Sequence, residues 1–134
     1  MRSGFIFLAA LSGLSGVAMG AFGAHALKAV LSPEMLAVYQ TGVNYQMWHA
    51  LALLGVGLAR LQFPDAKLLR WAGVLMVIGI LLFSGSLYTL AVLDLKWLGM
   101  ITPVGGVSFI IAWLLITLFA AQKPQQSRYT DARR

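Results

Sequence analysis

Charged residues interrupt this chain at wide intervals, and between them lie four charge-free, mostly apolar stretches, residues 3–27, 35–59, 71–93 and 97–122, of 25, 25, 23 and 26 residues. Each exceeds the ~20 residues of helix that cross a bilayer core. A backbone in hydrocarbon must satisfy its hydrogen bonds internally, so the elements this pattern predicts are membrane-spanning α-helices. The fold class expected is all-α, an integral membrane four-transmembrane-helix bundle with spans at about 4–27, 43–61, 68–93 and 98–121. Ser32-Pro33-Glu34 reads as an N-cap, a proline at the first helical position and an acid in the first turn. A continuous helix over 33–61 would be about 43 Å long, more than the hydrocarbon core needs. Segment 33–42 is therefore a candidate interfacial piece, with tilting, projection or a break near Gly42 left open. Phe63-Pro64-Asp65 breaks the chain before span three. Thr102-Pro103 repeats the cap and predicts a regular helix over 103–121.

The placement of Lys and Arg orients the bundle. Arg2, Arg60, Lys67, Arg70, Lys123, Arg128, Arg133 and Arg134 fall on one side of a four-span topology, and only Lys28 and Lys96 on the other. Basic residues in short loops stay inside, so both termini are expected to be cytoplasmic. Arg2 before an apolar run and Ala24-His25-Ala26 resemble a cleaved leader, but the run is longer than a signal h-region. The domain is thus 1–122, followed by a polar, basic tail, 123–134, predicted to be disordered. The chain is 60% hydrophobic and 10% charged, with a net charge of +6. No basic groove with interleaved aromatics can be built from its short loops, so no nucleic-acid partner is expected, and anionic lipid head groups suit the charge better. Cysteine is absent, which removes disulfides, thiolate metal sites and thiol nucleophiles.

Polar side chains in spans are costly and therefore informative. In this topology they gather in the outer half, and His25, Thr41, Asn44, Tyr45, Gln46, His49, Ser84, Ser86, Tyr88 and Thr102 form a candidate polar pocket. Thr41, Tyr45 and His49 are successive i,i+4 neighbours, with Gln46 about 60° beyond His49. His49, an ionisable group inside a span, is the strongest functional candidate, with a satisfied interhelical hydrogen bond as its bland alternative. Ser12, Gly16, Gly20 and Ala24 recur every four residues, so Gly16, Gly20, Gly23, Gly105 and Gly106 are candidates for close helix packing. Two histidines at different depths without a third ligand predict neither haem nor a metal, and no cofactor is expected.

Four ordered motifs carry a resemblance. Gly20-Ala21-Phe22-Gly23-Ala24-His25, Gln40-Thr41-Gly42 with Tyr45-Gln46 and His49, Leu82-Phe83-Ser84-Gly85-Ser86-Leu87-Tyr88, and Thr102-Pro103-Val104-Gly105-Gly106 resemble the YgdD/YwdK-like family of small bacterial inner-membrane proteins. The resemblance implies four spans and a multi-pass place in the bacterial inner membrane, but no activity, ligand or catalytic residue. No paired carboxylates or Ser-His-acid set is found, so no enzyme is expected. The reading favoured is a non-enzymatic binding or accessory protein whose partners are membrane lipids with a small ligand or a partner membrane protein, a homo-oligomer being left open. The alternative is a small oligomeric transporter or proton-coupled carrier using His49, against which stands the lack of an ionisable relay in the inner half.

Overall fold

The computed structural model describes residues 4–122, and these are helical almost throughout. The elements run α1 (Gly4–His25), a 3-10 turn (Leu27–Ala29), α2 (Pro33–Gln62), α3 (Lys67–Gly79), a π-helical segment (Ile80–Ser84), α4 (Gly85–Leu93), a second 3-10 turn (Lys96–Met100) and α5 (Thr102–Ala121). Three helical stretches, Gly4–Ala29, Lys67–Leu93 and Lys96–Ala121, are long and apolar enough to cross a membrane. Helix α2 has 30 residues, but Gln40, Asn44, Gln46 and His49 make it the most polar of the long helices. Joined end to end, α3, the π segment and α4 form one rod, the third long element. One end of the bundle carries His25, Pro33, Leu93 and Thr102, and the other carries Gly4, Gln62, Lys67 and Ala121.

The cap of α2 forms as its sequence implies, with Ser32 Oγ accepting from Met35 N at 3.2 Å and Pro33 opening the helix. The helix then continues through Gly42 without a break, so 33–42 is not a separate element. At the start of α5 the structure departs from the expected cap. Thr102 is inside the helix, Ile101 is the capping residue, and the Thr102 hydroxyl meets Ser86 Oγ at 2.7 Å. The basic tail 123–134 lies outside the described residues.

Helix α1 lies along α2, α3 lies along α5, and α2 also packs on α3, the π segment and α4. Toward the Lys67 end the core is aliphatic, built from Ala9, Leu53, Val56, Leu69, Met76 and Ala112. Toward the His25 end Leu27, Tyr39 and Ala91 form a second cluster. Glycines set two of the approaches. A Cβ on Gly105 would collide with the backbone nitrogen of Phe83, and one on Gly57 would stand 3.0 Å from the backbone nitrogen of Ile6. Among the glycines expected to pack closely, Gly16 and Gly23 sit against Met47 and the Tyr39 ring. Gly20 and Gly106 do not belong with them, because a Cβ there would meet Val43 at 3.4 Å and the Phe83 ring at 3.8 Å, ordinary contacts.

Candidate functional site

Helix α2 supplies most of the polar side chains, and its neighbours sort them into separate groups. Gln46 is 5% exposed and faces α1. Its Nε2 donates to Ser12 O at 2.9 Å and Ser15 Oγ at 2.8 Å, and its Oε1 accepts from Tyr88 OH at 2.7 Å. One carboxamide thereby ties α1, α2 and α4. Two turns nearer the His25 end, Tyr39 OH donates to Met19 O at 2.8 Å, and the Tyr39 and Tyr88 rings lie 5.0 Å apart.

His49 is 6% exposed and meets a different neighbour, α5. Its Nδ1 lies 2.7 Å from Tyr45 O, and its Nε2 lies 3.2 Å from Trp113 Nε1. A carbonyl can only accept and an indole N–H can only donate, so the ring is neutral with its proton on Nδ1. Both nitrogens are occupied, and the ring stacks on Phe109 with centroids 3.5 Å apart. A second proton on Nε2 would face the indole N–H, donor against donor. His49 is held as a structural group, and the arrangement gives a proton-carrying role no support.

The serines of the third helix make a further set. Ser84, 1% exposed, donates across to Gly42 O at 2.7 Å from within the π segment, while Ser86 joins Phe83 O at 2.9 Å and Thr102 Oγ1. The residues expected to share one polar pocket are therefore divided. Gln46 and Tyr88 meet on the α1 side, His49 and Tyr45 on the α5 side, and Ser84, Ser86 and Thr102 at the junctions of α2 and α5 with the third rod. His25 and Asn44 are exposed, and Thr41 is exposed with its hydroxyl bonded to Ala37 O at 3.0 Å. The division is physical: residues three apart on a helix differ by about 60° in direction, enough for a central helix to hand them to different neighbours. Ser12, Ser15 and Trp113 were missed as partners. The first two are the polar members of the small-residue face that meets α2, a signal the sequence holds, whereas Trp113 carries none.

Beside the Gln46 group lies a groove of about 350 Å³ between α1 and the third rod. Leu8, Leu11 and Met19 of α1 form one wall, Val77, Ile80 and Leu81 the other, and Gln46 and Leu53 the floor. Met19 and Tyr88 line it toward the His25 end. Leu11 and Leu81, exposed at its rims, leave the long side open. The lining is predominantly apolar, and the volume is in the range of ligand pockets. Within it Ser12 Oγ is buried and has no hydrogen-bond partner. Residues Ile80 and Leu81 belong to the π segment, a distortion frequent at functional sites. Among the described residues no three His, Asp or Glu side chains converge as a metal site would need.

The chain matches a family without an assigned activity. The family model for "Protein of unknown function (DUF423)" matches residues 19–106, which include the partners Met19, Tyr39, Gln46 and Tyr88. The UPF0382 membrane protein YwdK of Bacillus subtilis is 46% identical over 118 residues, covering 88% of this chain and 96% of that relative. The UPF0382 membrane protein SERP0230 of Staphylococcus epidermidis is 45% identical over 114 residues, 85% of this chain and 92% of its own. The UPF0382 inner membrane protein YgdD of Escherichia coli is 43% identical over 121 residues, 90% of this chain and 92% of its own. No solved structure matches the chain. With the matched segment containing the helix that builds the groove's floor and the residues at its His25 end, and relatives this similar along nearly their whole length, the chain belongs to the DUF423 family of membrane proteins of unknown function.

Proposed function

We propose that this chain is a four-span protein of the bacterial inner membrane, with both termini cytoplasmic, that binds a lipid-class ligand without transforming it. The ligand is an apolar chain bearing one hydrogen-bond acceptor, held in the groove between α1 and the third rod. The observation that carries the reading is the apolar groove between α1 and the third rod, of ligand size and open along the side where Leu11 and Leu81 are exposed. Ser12, part of its lining, holds a buried hydroxyl without a partner, which is disfavoured, and a ligand carbonyl or ether oxygen would satisfy it once the lining parts to admit it. The apolar walls suit a chain entering sideways from the bilayer.

The orientation rests on the basic residues, of which Arg60, Lys67 and Arg70 stand at one end of the described bundle and Lys28 and Lys96 at the other. The inner-membrane setting follows the name of the Escherichia coli relative. The non-enzymatic reading is supported by the polar groups of the groove, which are hydroxyls and the Gln46 carboxamide, the latter bonded to Ser12 O, Ser15 Oγ and Tyr88 OH.

The test is native mass spectrometry of the full chain released from its own membranes in a mild detergent. A small-molecule adduct at one per chain is expected, lost in Leu81→Trp, which fills the groove from its rim, and kept in Leu118→Trp, an exposed position on α5. An adduct equally present in both variants would be an annular lipid, and that result, or a bare wild-type chain, overturns the reading.

A further inference from the structure

From Thr41 to Leu58 the exposed positions of α2 are Thr41, Asn44, Trp48, Leu51, Gly55 and Leu58, and every residue between them is buried or half-buried. The spacing alternates three and four, the seam of a left-handed helix pair. No helix among the described residues covers it.

The seam is polar where a lipid-facing surface should not be. Helix α5 has 20 residues, about 30 Å of rise, which matches the hydrocarbon thickness. Ser84 bonds Gly42 O, and the neighbouring Phe83 backbone packs on Gly105, so Gly42 and Gly105 are nearly level. Counting the rise from Thr102, Asn44 lies about 7 Å and Trp48 about 13 Å inside that edge. Exposed threonine hydroxyls in the spans turn back on their own helix, as Thr41 within the seam does to Ala37 O and Thr117 on α5 to Trp113 O. The Asn44 carboxamide and the indole N–H of Trp48, a residue 58% exposed, have no such bond among the described residues. Bare in hydrocarbon, the carboxamide is strongly disfavoured.

We propose that this seam is the interface of a parallel dimer, in which Asn44 pairs with Asn44 of a second copy of the chain. Copies inserted in one orientation present α2 at one depth, so a two-fold axis along the membrane normal sets each seam residue opposite its own counterpart. A carboxamide is self-complementary in that setting, because its N–H and C=O pair with the C=O and N–H of an identical group. An unrelated partner would have to carry a matching group at that depth, whereas a second copy supplies it by symmetry. A lone Asn in an otherwise apolar seam also fixes register. Further along, Gly55 is exposed and a Cβ there would meet nothing within 4 Å, so two helices can approach closely at that point. The interface lies on α2 away from α3 and α4, so it stands independently of the groove.

The cysteine-free chain permits a direct test in native membranes. Leu51→Cys and Leu58→Cys place single thiols on the seam, while Leu14→Cys and Ile110→Cys place them at comparably exposed positions on α1 and α5. Under mild oxidation the seam variants are expected to form disulfide-linked homodimers and the other two to remain monomeric. Adding Asn44→Leu to Leu51→Cys is expected to lower the crosslinked fraction about fivefold. Equal crosslinking at all four sites, none on the seam, a disulfide to a different protein instead, or a fraction unmoved by Asn44→Leu would overturn the proposal.

Discussion

Replacing Gln46 by Leu keeps the bulk of the side chain and removes all of its hydrogen bonds, to Ser12 O, Ser15 Oγ and Tyr88 OH. Interhelical hydrogen bonds in membrane proteins contribute about 0.6 kcal/mol each on average, with a maximum near ~1.7. Three such bonds amount to about 2 kcal/mol, and the stranded Tyr88 hydroxyl adds about 1 kcal/mol. We therefore expect Gln46→Leu to destabilise the fold by about 2–3 kcal/mol, and Tyr88→Phe, which removes one of the three bonds and strands the buried Gln46 Oε1, by about 1–2 kcal/mol. Ser108→Ala serves as the control, because the Ser108 hydroxyl bonds only Val104 O in its own helix. Unfolding of each variant by a rising fraction of denaturing detergent in mixed micelles, followed by tryptophan fluorescence, gives the differences. A double-mutant cycle between Gln46 and Tyr88 isolates their shared bond. A Gln46→Leu variant no less stable than Ser108→Ala, or a cycle with no coupling, would refute the view that this carboxamide joins three helices.

The remaining expectations concern glycine packing and the imidazole. Gly105→Ala should cost about 1–3 kcal/mol, because the new Cβ meets the rigid Phe83 backbone; Gly106→Ala, one residue on, should stay within about 0.5 kcal/mol in the same titration. Nitrogen NMR of His49 in the folded protein should show a protonated Nδ1 and a bare Nε2, and Trp113→Phe should shift the Nε2 resonance by removing its donor. A proton found on Nε2 would contradict the bonding described for the ring.

Much of the helical framework is legible in the sequence, because charges and breakers mark where chain can enter or leave hydrocarbon. Ser32-Pro33-Glu34 sets the start of α2 through local chemistry alone, a capping hydroxyl and a fixed φ. Thr102-Pro103 carries the same local signal, yet there the hydroxyl turns to Ser86, a partner sixteen residues away that no cap rule includes. The π segment has no sequence mark of its own: Ile80–Ser84 reads as one more apolar turn, and only the packing of Gly79 on Phe109 and of Gly105 on Phe83 shows what surrounds it. The polar residues are legible as a set but not as a site. Gln46 and His49 lie close along α2, and which neighbour each meets depends on where α1 and α5 stand around that helix, a tertiary fact. The same holds for Gly20 and Gly57, since small size is visible in sequence and the nearness of another backbone is not.

The claim on which the rest depends is that α2, polar as it is, crosses the membrane in the stated direction. Glu34→Cys and Leu61→Cys place single thiols near its two ends in a chain that has no other. Labelling intact cells with a membrane-impermeant thiol reagent should modify the first at once and the second only after permeabilisation. Labelling of both from the outside, or of neither until the membrane is opened, would contradict the account.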